Sequence, residues 1–581
     1  MKTRTDARGI TVTYAYDNAG RLTLIDYPAG TIPDLVFTHD QPFLGVPANS
    51  NKGHVGRISD GVIDTSFGHT VTATGPKVTA TALYPAARSY TVVEETDFEG
   101  NATRTTYPSG REVLVTYDGA NRATAIRLKD GATTTDLLTQ MTYAPNGPMT
   151  SALYGDGYTQ TRTYDLSYRL TGITDALGAT KLRDVTLGYE GRDNLTSIAD
   201  LLTPANTEGF TYTPRESLMG ATGPYGAYAY TYDGVGNRLT ESLGAATDTY
   251  AYPLTSNRLT SISLASGVVR GYTYDAAGNV VAEARTGGGT YAYSYNAAGR
   301  METFSINGFL QASYKYDAMG RQAIRTLTSP TPVTIHSVFD SDGRRIAEYN
   351  EATGALIREY VWNSWEPVAV IEGGVVYFIR ADHIGRPVFA TNSTGATVWS
   401  ATYLPFGGVY VSTGTLPPNR FPGQWFQTES GLHQNWMRDY DPTTGRYLQA
   451  DPLGLVDGAS VYGYVGQSPG RWTDPRGEQA IEGAISVGIG TSVADGPLPF
   501  GEAVGLCVLG AAVLYCAAGG YYCTADDDAS CDQEWDDAYD MCERELSKPN
   551  PARGITGGYR TLGECARGLV SERCGGNKVE Y

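Results

Sequence analysis

The chain has 581 residues, with 70 Gly, 42 Tyr and only 14 Phe, 18% charged and 41% hydrophobic side chains, and a formal charge of −18. That is too apolar and too weakly charged for a disordered chain; the glycines keep no three-residue period, which excludes collagen, and their abundance excludes a helical coiled coil. Charge and cysteine are uneven: residues 478–581 carry 17 acidic and 7 basic side chains and all seven cysteines, so this tail is a different kind of polypeptide from the rest.

The N-terminus, MKTRTDARGITVTYAYD, has no apolar core of a secretory signal peptide. From Tyr14 a unit then recurs: YAYDNAGRLT at Tyr14, VTYDGANRAT around Tyr117, MTYAPNGPMT around Tyr143, RTYDLSYRLT around Tyr164, LGYEGRDNLT around Tyr189, FTYTPRESLM around Tyr212, YTYDGVGNRLT at Tyr232, YAYPLTSNRLT at Tyr252, YTYDAAGNVV at Tyr274, YSYNAAGRME at Tyr295, YKYDAMGRQA at Tyr316 and VFDSDGRRIA at Phe339. From Tyr143 onward its anchor aromatics are 20–25 residues apart. Each unit reads as a β-hairpin. Y-x-Y alternates at the strand period, Asp followed by two variable residues and then Gly or Asn makes a turn that can take positive φ, and R-L-T starts the return strand. A hairpin alone has too little core to fold, so the units are expected to stack into one continuous sheet, with Tyr filling its buried face. A carbohydrate-binding aromatic surface is the alternative reading of these tyrosines.

The Y-D-x-x-G-R-L repeat resembles the YD repeat of Rhs proteins, teneurins and the C subunits of insecticidal toxin complexes. Residues 377–477 resemble the Rhs repeat-associated core domain through Asp382, His383, Gly385, Pro387, Trp399, Tyr403, Phe406 and Gly407, then through Pro422, Gly423, Gln424, Asp441, Pro442, Gly445, Arg446, Asp451, Pro452, Gly454, Asp474, Pro475 and Gly477. The resemblance implies a mainly β protein whose hairpins coil into a large hollow, cocoon-like shell over residues 1–375, a plug-like core domain at 376–477, and a variable C-terminal segment at 478–581 enclosed as cargo. It also implies that the core is an aspartyl autoprotease cutting just after D-P-x-G, between Gly477 and Glu478. The family usually carries Leu where this chain has Glu478.

Two carboxyl groups in an apolar enclosure do not both ionise, so one can hold a proton while the other activates water. The core offers Asp439, Asp441, Asp451, Asp457 and Asp474, with Arg438 and Arg446 to stabilise developing charge. By correspondence with the family, Asp451 and Asp474 are the first candidates and Arg438 and Asp439 the next. The bland reading of each Asp-Pro is a plain turn. His383 and His433, in core motifs, read as structural hydrogen-bonding residues, with catalysis as the alternative. No metal site and no cofactor are expected: the tail has no His for His–Cys zinc ligation, and there is no P-loop.

In the tail, residues 503–525 are uncharged and small-residue-rich, long enough to cross a bilayer as a helix, or else a buried hairpin stored inside a shell. Residues 526–545 hold ten Asp/Glu and one Arg. Cys531 and Cys542 flank one helical-looking stretch and Cys565 and Cys574 a second, so a small α-helical, Cys-rich domain is expected. In an oxidising compartment it would be closed by Cys531–Cys574 and Cys542–Cys565, a zinc site being the weaker alternative. No basic, aromatic-interleaved face points to nucleic acid. Three readings follow: a bacterial delivery shell, secreted or displayed by a dedicated system and paired with an immunity protein, whose tail is the effector; an uncleaved surface or adhesion protein; and a gene fragment with an inert tail, since the chain starts inside a repeat.

Overall fold

The computed structural model describes residues 2–482 except 48, 49, 146, 416, 456, 457 and 479. Cys531, Cys542, Cys565 and Cys574, for which two disulfides were expected, and the apolar stretch 503–525 lie outside the described residues. Among the described residues the only helices are single 3-10 turns at Pro85–Ala87, Pro204–Asn206 and Val465–Gln467, and no helix is long and apolar enough to cross a membrane.

The architecture is a 37-stranded antiparallel sheet in which each strand pairs with the next in sequence, from Lys2–Thr5 to Val409–Thr413. The turn chemistry of the repeat makes this possible. At Asp317 one carboxylate oxygen accepts the backbone N–H groups of Met319 and Arg321, each at 3.0 Å, while the other accepts Arg321 Nε at 2.7 Å. Gly320 closes the turn at φ +73°, and its N–H donates to the Asp317 carbonyl. The same pattern recurs at Asp17, Asp118, Asp165 and Asp382. A register shift falls at the tyrosine before the Asp, as between Lys315 and Tyr316, which is the extra residue of a hairpin whose turn ends in a left-handed position. The hairpins continue without a break through residues 376–413, including the turns at Asp382 and Asn392.

In most hairpins the tyrosine two residues before the YD tyrosine is buried, as at Tyr230, Tyr250, Tyr293 and Tyr314, whereas Tyr272 is half-buried. The sheet curls back on itself. Ile63, Tyr90, Val113, Leu137 and Tyr154 share one core with Ile324, Val338, Val361, Val368 and Phe378, more than 200 residues later. Tyr84 donates its hydroxyl to the Ser337 carbonyl at 2.8 Å, and Tyr107 to that of Tyr360 at 2.7 Å.

After the last long strand, a four-stranded sheet (Trp425–Phe426, His433–Asn435, Arg438–Asp441, Arg446–Tyr447) lies against the large one. Leu432 and Leu448 enter the core formed by Val280, Tyr293, Phe304 and Tyr314, and Phe421, Tyr440, Tyr447 and Tyr464 form a core of their own with Ile384. Polar ties reinforce this seat. Arg270 reaches Asp441 at 3.0 Å, Arg325 pairs with Glu429, and the Tyr462 hydroxyl donates to the Gly278 carbonyl at 2.8 Å. Packing of this kind fixes the backbone of residues 425–478, and with it the side chains described next.

Candidate functional site

Arg438 is the hub of the site. It lies on a strand of the small sheet, 2% exposed, with its guanidinium 3.7 Å from the centre of the Tyr447 ring. Its Nη1 pairs with Asp451 at 2.7 Å and its Nη2 with Asp474 at 3.0 Å, while its Nε donates to the Gly477 carbonyl oxygen at 2.7 Å. The Glu478 N–H donates to Asp474 Oδ1 at 3.0 Å. The peptide bond between Gly477 and Glu478 is therefore held at its oxygen by a cation and at its nitrogen by a carboxylate, in a buried setting where such charges act strongly.

The local sequence explains why the segment can lie there. Gly477 has φ +68°, and a Cβ on it would fall 2.4 Å from the Asn435 carbonyl oxygen, so only glycine allows the approach. Gly423 is likewise pressed on residue 475: its Cβ would come within 1.9 Å of the Pro475 oxygen. The Met437 N–H donates to the Arg476 carbonyl, and the Asn435 side chain to that of Asp474 at 2.8 Å.

Of the residues singled out in the sequence, Arg438, Asp451, Asp474, Gly477 and Glu478 come together. Asp439 points away, as the neighbour of Arg438 on a strand must. Its Oδ2 accepts the Gln449 amide at 2.6 Å, and burial pushes its carboxyl up to about 6, against the lowering effect of that amide. It stays linked to the cleft through Arg300, whose charge acts on both Asp439 and Glu478. Burial also raises the Glu478 carboxyl, opposed by Arg300 and Arg476. Asp441 serves the fold, pairing with Arg270 and capping Thr443 at 2.8 Å, and Asp457 lies outside the described residues.

Two participants were not singled out in the sequence. Tyr447 donates its hydroxyl to Asp474 Oδ2 at 2.8 Å, and Asn435 donates to that same hydroxyl at 2.7 Å. Their only trace is position, each on a strand of the small sheet beside a core motif. The two histidines are structural: His383 bonds the Gly470 carbonyl and His433 the Gln424 side chain.

Comparison with known proteins agrees with this architecture. The Teneurin YD-shell family model matches residues 138–458, and the RHS Repeat model matches residues 2–32. Double-stranded DNA deaminase toxin A of Burkholderia cenocepacia is 34% identical over 119 residues, 19% of this chain and 8% of that protein. Probable deoxyribonuclease RhsA of Dickeya dadantii is 35% identical over 147 residues, 23% of this chain and 10% of that protein. The chain thus matches only a small part of these relatives' lengths. The crystal structure of TcdB2-TccC3 without its hypervariable C-terminal region superposes with a TM-score of 0.69 at 19% identity, covering 82% of this chain and 27% of that one. With a family model spanning most of the sheet and the small sheet upon it, the chain belongs to the YD-shell family of Rhs-type repeat proteins.

Proposed function

We propose that this chain is a bacterial delivery shell that encloses its own C-terminal segment and frees it by self-cleavage between Gly477 and Glu478. The observation that carries this reading is the clamp on that one peptide bond, with Arg438 on its oxygen and Asp474 on its nitrogen. The abrupt change in charge and cysteine content at the same point supports it, as do the toxins among its relatives. Water adds to the Gly477 carbonyl carbon, and the charge that develops on oxygen faces the Arg438 guanidinium. One aspartyl group takes the water's proton, and a proton passes to the Glu478 nitrogen as the C–N bond breaks. Asp474 accepts the Glu478 N–H and so can hand that nitrogen only a proton it has first taken from the water. Asp451, across the same guanidinium, is the other candidate to take it, and Asp439, whose environment favours the protonated form, is the candidate proton source.

Export or surface display by a dedicated system and a cognate immunity protein belong to this reading. The test is a denaturing gel of the purified full chain. Cleavage yields a tail fragment of about 11 kDa, its share of 62.3 kDa. Asp474→Asn and Arg438→Gln should abolish it; loss in Asp451→Asn marks that group as taking the water's proton, and loss in Asp439→Asn marks it as supplying one. A single full-length band from the unaltered, folded protein would exclude self-cleavage and favour an uncut surface protein.

A further inference from the structure

Between the small sheet and the large one lies a cavity of ≈ 20 Å³ whose lining includes Arg345, Asn419, Arg420, Gln424 and Trp425. Four donors on this lining have no protein acceptor among the described residues: Arg345 Nε, Arg420 Nε, Gln424 Nε2 and Gln322 Nε2. The four residues are 5%, 4%, 0% and 3% exposed, so bulk water does not serve these groups. Left alone, each would cost the fold the desolvation of a buried donor.

Charge points the same way. Arg345 pairs with Glu348 at 2.9 Å, but Glu348 also lies within 3.7 Å of Arg358 and accepts the Tyr360 hydroxyl. Arg420 has no carboxylate partner among the described residues; its Nη1 is used on the carbonyls of Pro417 and Asn419. Both guanidiniums rest on aromatic faces, Arg345 4.1 Å from the Trp425 ring centre and Arg420 4.7 Å from that of Phe426. The other two arginines of the lining, Arg321 and Arg344, are matched by Asp317 and by Asp340 and Asp342. The cavity wall thus holds a net buried positive charge, which protein interiors rarely leave uncompensated. Burial lowers the pKa of both Arg345 and Arg420, the direction expected of cations short of an anion.

We propose that this cavity binds one small monovalent anion, a halide such as chloride, held by Arg420, Arg345 and the Gln424 amide. Size selects the ligand: about 10–15 Å³ admits a single water-sized particle, so the space suits a halide and not a tetrahedral oxyanion. Valence argues against water as the occupant. A water molecule accepts two hydrogen bonds and must place two protons, whereas four unpartnered donors line this space against one orphan acceptor, Asn419 Oδ1. Bound there, the anion ties the turn Arg420–Gln424 to the strand Arg345–Asn350 of the large sheet. That turn carries Gly423, against which Pro475 leans.

The test uses the full chain and two readouts. Thermal midpoints are measured in sodium chloride and in sodium gluconate at equal ionic strength, and crystals are soaked in sodium bromide for anomalous diffraction. The expected result is a midpoint that climbs with the logarithm of chloride concentration but not with gluconate, lost in Arg420→Gln, together with an anomalous peak within hydrogen-bond reach of Arg420 Nε. If Arg420→Gln does not fold, the bromide map of the unaltered protein decides. No anomalous peak at saturating bromide, with equal midpoints in the two salts, would overturn the proposal and leave the cavity to water.

Discussion

The threefold excess of Tyr over Phe has an atomic reason. In the YD position the hydroxyl reaches back to the previous hairpin and donates to a carbonyl at or just before the start of its return strand. Tyr189 bonds Leu170, Tyr232 bonds Leu218, Tyr274 bonds Leu259, Tyr295 bonds Val280 and Tyr316 bonds Met301, at 2.7–2.9 Å. Phe would pack as well but leave that carbonyl unpaired. Tyr274→Phe should therefore lower the local opening free energy of its hairpin by about 1 kcal/mol, read by native-state hydrogen exchange of the flanking strands; unchanged exchange would show that water replaces the bond. Asp439 makes the opposite kind of contribution. Its carboxyl, raised to about 6 by burial, favours the protonated form in the folded state, so it opposes folding above that pH, and the penalty fades as pH falls toward the unfolded value near 4. Asp439→Asn should then raise stability at pH 7 by roughly 3 kcal/mol and flatten the change between pH 4 and 6 in denaturant titrations.

At the scale of the element, the hairpin turn was legible in the sequence because its chemistry is local: Asp, two free positions, a residue in the left-handed region, then Arg or Asn. Where Gly is missing the turn persists with Asn121 and Tyr168 at positive φ in turns that start at Asp118 and Asp165, and with Asp193 and Glu216 in turns that start at Glu190 and Thr213, so the hydrogen bonds to the turn's first residue outweigh the strain. Asp317→Ala removes the side-chain acceptor of two backbone N–H groups and the Arg321 pair, and should destabilise its hairpin by about 2 kcal/mol in the same exchange experiment. The exposed turn aspartates also set an acid limit. Asp17 is held below the usual carboxylate range by the Arg21 backbone N–H, and Asp118 by the Arg122 side chain, so their support is present above about pH 4 and fades as pH falls through these lowered values. The Tyr hydroxyl tether was not legible, because it links hairpins whose relative register no single repeat encodes. For the same reason Asp474 could be singled out from its Asp-Pro-x-Gly phrase, while Tyr447 and Asn435, which reach it only through the folding of the small sheet, could not.

Across the whole sheet, the contacts that no repeat encodes are those between strands some 200 residues apart, and at one place they are ionic. Arg380 is fully buried, 3.4 Å from the centre of the Tyr154 ring, with Nη2 on Asp156 at 2.8 Å and Nε on Asp175 at 3.1 Å. Arg183 closes the group from Asp175 to the Ala381 carbonyl, Thr391 caps Asp156, and Arg162 pairs with Glu366 beside it. Two carboxylates and two guanidiniums thus balance where the later strand Val375–Ala381 lies against the strands around residues 156–183. Satisfied networks of this kind add little net stability but are costly to break from one side, since the survivors remain as buried charges. Arg380→Met should therefore cost about 3–5 kcal/mol in chemical denaturation, and adding Asp156→Asn and Asp175→Asn should recover part of it by removing the stranded carboxylates. Limited proteolysis should cut the single variant faster between residues 376 and 413 than the unaltered chain. A loss below about 1 kcal/mol would mean that water reaches these carboxylates once Arg380 is gone, and that apolar packing such as Leu137 and Tyr154 against Phe378 is what holds the distant strands together.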